Sequence, residues 1–156
     1  MKDQNMNGKF RTDAIVTAIA IAAVTALTLI KGDVLFMGLW YYTLVLLGTF
    51  TLGRLVKPKP LFITGGIAAA CLSFSVYIYA NWTPAPTHDL LGLGHLCSLP
   101  GAAIGLLIGA VISRRTQQSS TAAFVTGISG FGLGFAVNQA VLCSTVMSCR
   151  ALLPFL

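Results

Sequence analysis

The stretch LLGLGHLCSLPGAAIGLLIGAVI, residues 90–112, decides the fold of this protein. It contains no charged residue, and its glycines Gly101, Gly105 and Gly109 recur at intervals of four. A helix needs about 20 apolar residues to cross the hydrocarbon core of a bilayer. The stretch reaches that length only if the residues before Pro100 are included, although proline removes a backbone donor and disfavours a continuous helix. The number of spans therefore depends on whether this run crosses.

The composition of the whole chain places this stretch in a membrane protein. Of the 156 residues, 56% are hydrophobic and only 9% are charged, whereas soluble domains are about 45–50% apolar and about 25% charged. A chain of this length has too small an interior to bury that apolar fraction in water. The composition excludes a soluble globular domain, a disordered tail and a small disulfide scaffold.

Four other apolar runs accompany this stretch. We predict a single transmembrane domain, residues 1–156, that is an all-α polytopic bundle of about five helices after a cytoplasmic tail of residues 1–13. The predicted helices are 14–30, 34–53, 61–80, 90–112 and 121–142. Because lipid offers the backbone no hydrogen-bond partner, each run is expected to be helical. The runs are continuously apolar and lack the alternation that is typical of a transmembrane barrel.

Lysine and arginine are distributed unevenly between the two sides of the predicted bundle. One set of loops holds eight of the ten basic residues, and the opposite set holds only Lys31 and Arg150. Basic loops stay in the cytoplasm, so we predict a cytoplasmic N-terminus and an outer C-terminus in a cell inner membrane. The run 14–30 is expected to be an uncleaved signal anchor. A four-span chain, in which 90–112 does not cross, gives a weaker bias and is the main alternative.

Small residues recur on the fourth and fifth predicted helices. Glycines four apart line one face of a helix and let another backbone approach closely, which drives association where lipid supplies little hydrophobic force. We predict that these faces serve helix packing, either within the molecule or against a helix of a partner or of another copy. The glycines concerned are Gly101, Gly105, Gly109, Gly130 and Gly134.

Polar residues inside the predicted spans are few. Asn138 and Gln139 lie in the fifth span, and an amide in hydrocarbon needs a hydrogen-bond partner. We expect these amides to contact another helix, or alternatively a ligand or an ion. All four aspartates of the chain are predicted to lie in tails or loops. Without a carboxylate inside the membrane, a proton-coupled exporter is not expected.

Three of the four cysteines lie toward the predicted outer side, which in a bacterium is the oxidising compartment. A disulfide between Cys143 and Cys149 is the favoured pairing, because these residues lie at similar depth if the chain turns between them. A membrane thiol–disulfide redox protein is a further alternative. Such proteins depend on a Cys-x-x-Cys pair, whereas five residues separate Cys143 from Cys149.

The sequence contains no catalytic or cofactor-binding pattern. The residues His88, Asp89, His95 and Cys97 lack the paired spacing of metal ligands, and the basic residues form no stripe typical of nucleic-acid binding. We expect a non-enzymatic protein without cofactor or metal. It is predicted to contact another integral membrane protein or a membrane-acting toxin, as an accessory subunit or an immunity-type inhibitor. A small oligomeric channel or carrier is the alternative function.

Overall fold

Helices account for nearly all of the computed structural model, which describes residues 2–32, 35, 37–82, 91–116 and 119–145. This part of the chain contains five helices: α1 Lys2–Lys31, α2 Leu39–Val56, α3 Phe62–Trp82, α4 Leu91–Arg115 and α5 Ser120–Thr145. Each of them contains a segment that is long and apolar enough to cross a membrane. The fold is all-helical in the described residues, and its five candidate spans indicate a multi-pass membrane protein.

The first helix begins at Lys2, so that residues 2–13 continue the helix where the sequence predicts a tail. Thirty residues of helix extend about 45 Å, which exceeds the roughly 30 Å of a hydrocarbon core. Asp13 lies inside the candidate span Arg11–Ile30. The prediction that every aspartate lies in a tail or loop is therefore wrong for Asp13.

The second helix begins later than its apolar run. Gly38, the residue before it, has a φ of 82°, a left-handed conformation that glycine adopts easily. The helix consequently starts at Leu39 instead of the predicted residue 34. Trp40, Tyr41 and Tyr42 therefore lie in the first turn of α2, and aromatic side chains are favoured at the end of a membrane span.

Pro100 does not interrupt the fourth helix. The helix is continuous over 25 residues, and the Pro100 side chain is exposed on its surface. Proline is tolerated inside membrane-spanning helices where nearby groups compensate for the lost backbone bond. The described chain thus contains five helices of spanning length, and α4 is one of them.

From α2 to α5, helices that are consecutive in the chain run antiparallel. Gly101 lies opposite Gly134 and Gly105 lies opposite Gly130, so α4 and α5 run in opposite directions. The same reversal relates α2 to α3 and α3 to α4. The largest fully buried apolar side chains come mainly from α2 and α3: Tyr41, Tyr42, Leu46, Phe62, Ile63, Ile67, Phe74 and Leu106.

Cations cluster at one end of the bundle in the part of the chain that the structure describes. We call the end that carries the α2–α3 and α4–α5 connections the basic end, because exposed or half-exposed cations cluster there: Arg54, Lys57, Lys59, Arg114 and Arg115. At this end Arg114 donates a hydrogen bond from Nη1 to the carbonyl oxygen of Val56 at 3.3 Å. This bond joins the ends of α4 and α2.

Candidate functional site

The glycines predicted to serve packing meet one another between α4 and α5. A Cβ atom added at Gly105 would collide with the carbonyl oxygen of Gly130, and one added at Gly134 would collide with that of Gly101. No side chain therefore fits between the two backbones at these positions. Such close approach gives the extensive van der Waals contact that holds helices together in lipid.

A second close contact joins α3 to α5, and the sequence pattern does not reveal it. A Cβ atom at Gly65 would collide with the carbonyl oxygen of Phe124, and one at Gly127 would collide with that of Phe62. Gly65 is followed directly by Gly66 and has no glycine four residues away on α3. The repeat that identifies a packing face in α4 is therefore missing in α3.

The glycine contact between α4 and α5 also forms the floor of an outward-facing groove of about 560 Å³. Two rows of branched aliphatic residues flank this floor, and within each row the residues are four apart. The rows are Ile104, Ile108 and Ile112 on α4 and Leu133, Val137 and Val141 on α5. Their side chains are 46–66% exposed, so they are not used to pack the bundle itself. We call this feature the α4–α5 groove.

Both amides of the fifth helix form hydrogen bonds within the bundle. Asn138 donates from Nδ2 to the carbonyl oxygen of Cys97 at 2.6 Å. Gln139 accepts a hydrogen bond from the Ser98 hydroxyl and donates from Nε2 to Cys143 Sγ at 3.3 Å. The two side chains therefore join α5 to α4, and their polar atoms face helix partners.

The cysteines fall into two states. Cys143 is disulfide-bonded, whereas Cys71 and Cys97 carry free thiols. Cys149 lies outside the described residues, so the pairing of Cys143 with Cys149 stays a prediction. Within the part of the chain that the structure describes, no three potential metal ligands come together.

His95 is completely buried where α2, α3 and α4 meet. Its Nδ1 lies 2.6 Å from the Tyr41 hydroxyl, and its Nε2 lies 3.0 Å from the Ser73 hydroxyl. Ser73 donates its own hydrogen to the carbonyl oxygen of Ala70 at 2.8 Å, so it accepts from Nε2–H. The network then assigns Nδ1 as the acceptor from Tyr41, as in a neutral imidazole.

Aromatic rings enclose this imidazole. Phe74 stacks on it with ring centroids 4.9 Å apart, while Tyr77 meets it edge-on at 4.8 Å. Phe135 from α5 lies at 5.1 Å. We call Tyr41, Ser73, Phe74, Tyr77, His95 and Phe135 the His95 cluster. Through its hydrogen bonds and ring contacts, the cluster connects four helices, α2 to α5.

Sequence reasoning did not find the His95 cluster. Its polar members lie in three different apolar runs, and none of them belongs to a recognisable sequence motif: Tyr41, Ser73 and His95. One signal could have pointed to the cluster: polar side chains within a membrane span need hydrogen-bond partners in the bundle. The register between helices, which decides the partners, is not encoded in any one run.

Asp13 provides a second polar connection, from α1 to α3. Its Oδ1 accepts hydrogen bonds from the backbone N–H of Thr64, at 3.2 Å, and from the Thr64 hydroxyl. Thr64 lies in the first turn of α3, where backbone N–H groups have no partner within the helix. Asp13 thus caps α3 from a different helix. It is 1% exposed, and its Oδ2 has no partner among the described residues.

No protein-family model, characterised protein or solved structure matches this chain. A bundle of apolar helices hosts many unrelated functions, so function must come from the arrangement of specific residues.

Proposed function

We propose that this chain is a non-enzymatic, multi-pass inner-membrane protein that acts by binding a helix of another integral membrane protein. The observation that carries the proposal is the α4–α5 groove, with its glycine floor between two exposed aliphatic rows. Rows of side chains four residues apart are the ridges between which a neighbouring helix packs. The row from Ile104 to Ile112 covers about 12 Å, or two helical turns.

The physical basis of the proposed contact is close approach. Lipid tails are as apolar as leucine, so burying apolar surface between helices gains little; van der Waals contact and hydrogen bonds supply the affinity. Because Gly101, Gly105 and Gly109 let α4 and α5 approach closely, the floor of the groove lies below the two aliphatic rows. A third helix can then pack its side chains between these rows.

Such a protein could bind a partner helix in either of two roles. As an immunity-type inhibitor, it binds a helix of a membrane-acting toxin and prevents that helix from assembling. As an accessory subunit, it binds a helix of a larger membrane complex permanently. Protection of cells against a toxin on expression of this chain supports the first role, and a complex that survives mild detergent supports the second.

A tryptophan at position 133 tests the groove. Leu133 is 66% exposed at the edge of the groove, and Leu72 is 62% exposed on α3, away from it. We expect Leu133→Trp to abolish recovery of the partner from native membranes in mild detergent, because the indole obstructs the groove. The matched control Leu72→Trp is expected to retain the partner. Equal recovery with both variants contradicts the proposal.

Gly105 is unsuitable for this test. A side chain there collides with the carbonyl oxygen of Gly130 and separates α4 from α5. Loss of a partner in such a variant would report a damaged bundle. The rows that flank the groove avoid this difficulty because their side chains already point outward.

A further inference from the structure

A second apolar opening, of about 230 Å³, lies between α2 and α4 on a different side of α4 from the groove. Its floor includes Phe131 of α5, which is 3% exposed. Along α2 its lining extends from Trp40 to Leu52, about 18 Å of helix. A Cβ atom at Gly48, in the middle of this lining, would meet nothing within 4 Å. We call this opening the α2–α4 crevice.

The dimensions of the crevice match a lipid chain. One leaflet of a bilayer is roughly 15 Å deep in hydrocarbon, so an acyl chain that enters at the Leu52 end occupies the part of the crevice nearer the basic end and reaches Gly48. The lining is almost wholly apolar, and the crevice opens sideways, toward the lipid that would surround a membrane-spanning α2.

Among the cations at the basic end, Arg114 links the ends of the same two helices. Arg114 of α4 is held by its bond to the carbonyl oxygen of Val56, the last residue of α2. The last carbonyl groups of a helix lack partners within it, so this bond fixes the guanidinium next to Lys57. Both Lys57 and Arg114 are exposed. Lys57 lies about 7 Å beyond Leu52, where the crevice ends on α2, and Arg114 lies about 12 Å beyond Leu106, where it ends on α4.

We infer that the α2–α4 crevice and these two cations form one binding site for an anionic phospholipid. The acyl chain lies in the crevice, and the phosphate lies between Lys57 and Arg114. A guanidinium presents several N–H groups in a fork that matches phosphate oxygens, and the Arg114 side chain is exposed. Charge alone attracts any anionic headgroup; the adjoining crevice selects one that carries a chain. This site is separate from the α4–α5 groove and does not depend on it.

The charge of the site is tested on the full chain, purified and stripped of lipid, by native mass spectrometry. Phosphatidylglycerol and phosphatidylcholine with identical chains are the probes, and one phosphatidylglycerol is expected to be retained in preference to phosphatidylcholine. Arg114→Gln is expected to weaken phosphatidylglycerol binding roughly fivefold, while the neighbouring control Arg115→Gln leaves it unchanged. Equal retention of the two lipids, or equal losses in the two variants, overturns the inference.

The crevice is tested by filling it. Gly48→Leu places a side chain in open space inside the crevice, and Gly132→Leu does so on α5 outside it, since neither Cβ position meets an atom within 4 Å. We expect Gly48→Leu to lose phosphatidylglycerol and Gly132→Leu to keep it. Inorganic phosphate, which has no chain, is expected not to displace the lipid. Unchanged retention by Gly48→Leu, or displacement by phosphate alone, contradicts a lipid site.

Discussion

Asp13 holds α1 against α3 by capping the first turn of α3. Among residues 11–30, the buried side chains are Asp13, Thr17 and Thr28, and both threonine hydroxyls donate to carbonyl groups of α1 itself. The carboxylate therefore provides hydrogen bonds that leave α1 and reach Thr64. In lipid, where apolar contact between helices is weakly favourable, such bonds have a large share in positioning a peripheral helix.

Removing this carboxylate is expected to weaken the bundle. Asp13→Ala leaves the N–H of Thr64 without its acceptor, and an unsatisfied buried donor costs about 1–3 kcal/mol. Asp13→Asn retains an acceptor oxygen and is expected to lose less. Unfolding of the purified protein in mixed micelles measures both free energies. Stability of Asp13→Ala equal to that of the unchanged protein would show that the cap contributes nothing.

The two buried tyrosines of the His95 cluster form a matched pair. Each is 2% exposed, but the Tyr41 hydroxyl bonds to His95, whereas the Tyr77 hydroxyl has no partner among the described residues. Tyr41→Phe leaves Nδ1 of His95 unsatisfied, and we expect it to reduce the free energy of unfolding by about 1–3 kcal/mol. Tyr77→Phe removes an unpaired polar atom and is expected to be neutral or stabilising.

The same unfolding measurement compares these two tyrosine variants directly, because each loses one hydroxyl from the same cluster. Equal destabilisation by both changes would mean that the bond to His95 has no special weight. Sequence alone does not predict this difference. Tyr41 and Tyr77 both look like aromatic residues near a span end, and only the packing of α2 against α4 brings Tyr41 to His95.

At the scale of the helices, the close packing of α4 against α5 depends on glycines, which have no side chain. Gly105→Ala places a methyl group against the carbonyl oxygen of Gly130, and we expect a loss of about 1–3 kcal/mol through overpacking. Gly132→Ala is the control, because its Cβ meets nothing within 4 Å. Alanine favours a helix over glycine by up to about 1 kcal/mol, so this control is expected to be as stable or more stable.

Equilibrium unfolding of the two glycine variants under the same conditions checks the prediction. If Gly105→Ala were as stable as Gly132→Ala, the close approach of α4 and α5 at this point would not be required for stability.

The helices themselves could largely be read from the sequence, because a run of apolar residues has few alternatives to helix in lipid. The details of the fold that the sequence does not predict depend on local backbone conformation or on contacts between helices. Gly38 delays the start of α2 through its positive φ. Gly65 packs against α5 without belonging to any repeat. Asp13 lies inside a helix because the polar segment before it continues the helix.

For the whole molecule, composition indicates the class of protein, whereas the candidate sites depend on how helices pair. The α4–α5 groove exists because two glycine faces meet within the molecule and leave aliphatic rows outside. The glycine spacing indicated a packing face and left open whether its partner was internal. The α2–α4 crevice left no pattern in either helix, since it arises from the register between them.

The most direct test of the account is the sidedness of the chain. Five crossings with the basic end in the cytoplasm put the C-terminus on the outer side. A fluorescent protein that matures only in the cytoplasm, fused after Leu156, is predicted to stay dark, and the same reporter fused after Lys59 in a truncated chain is predicted to shine. A bright fusion after Leu156, with full-length protein in the membrane, would contradict five crossings and the orientation of both proposed sites.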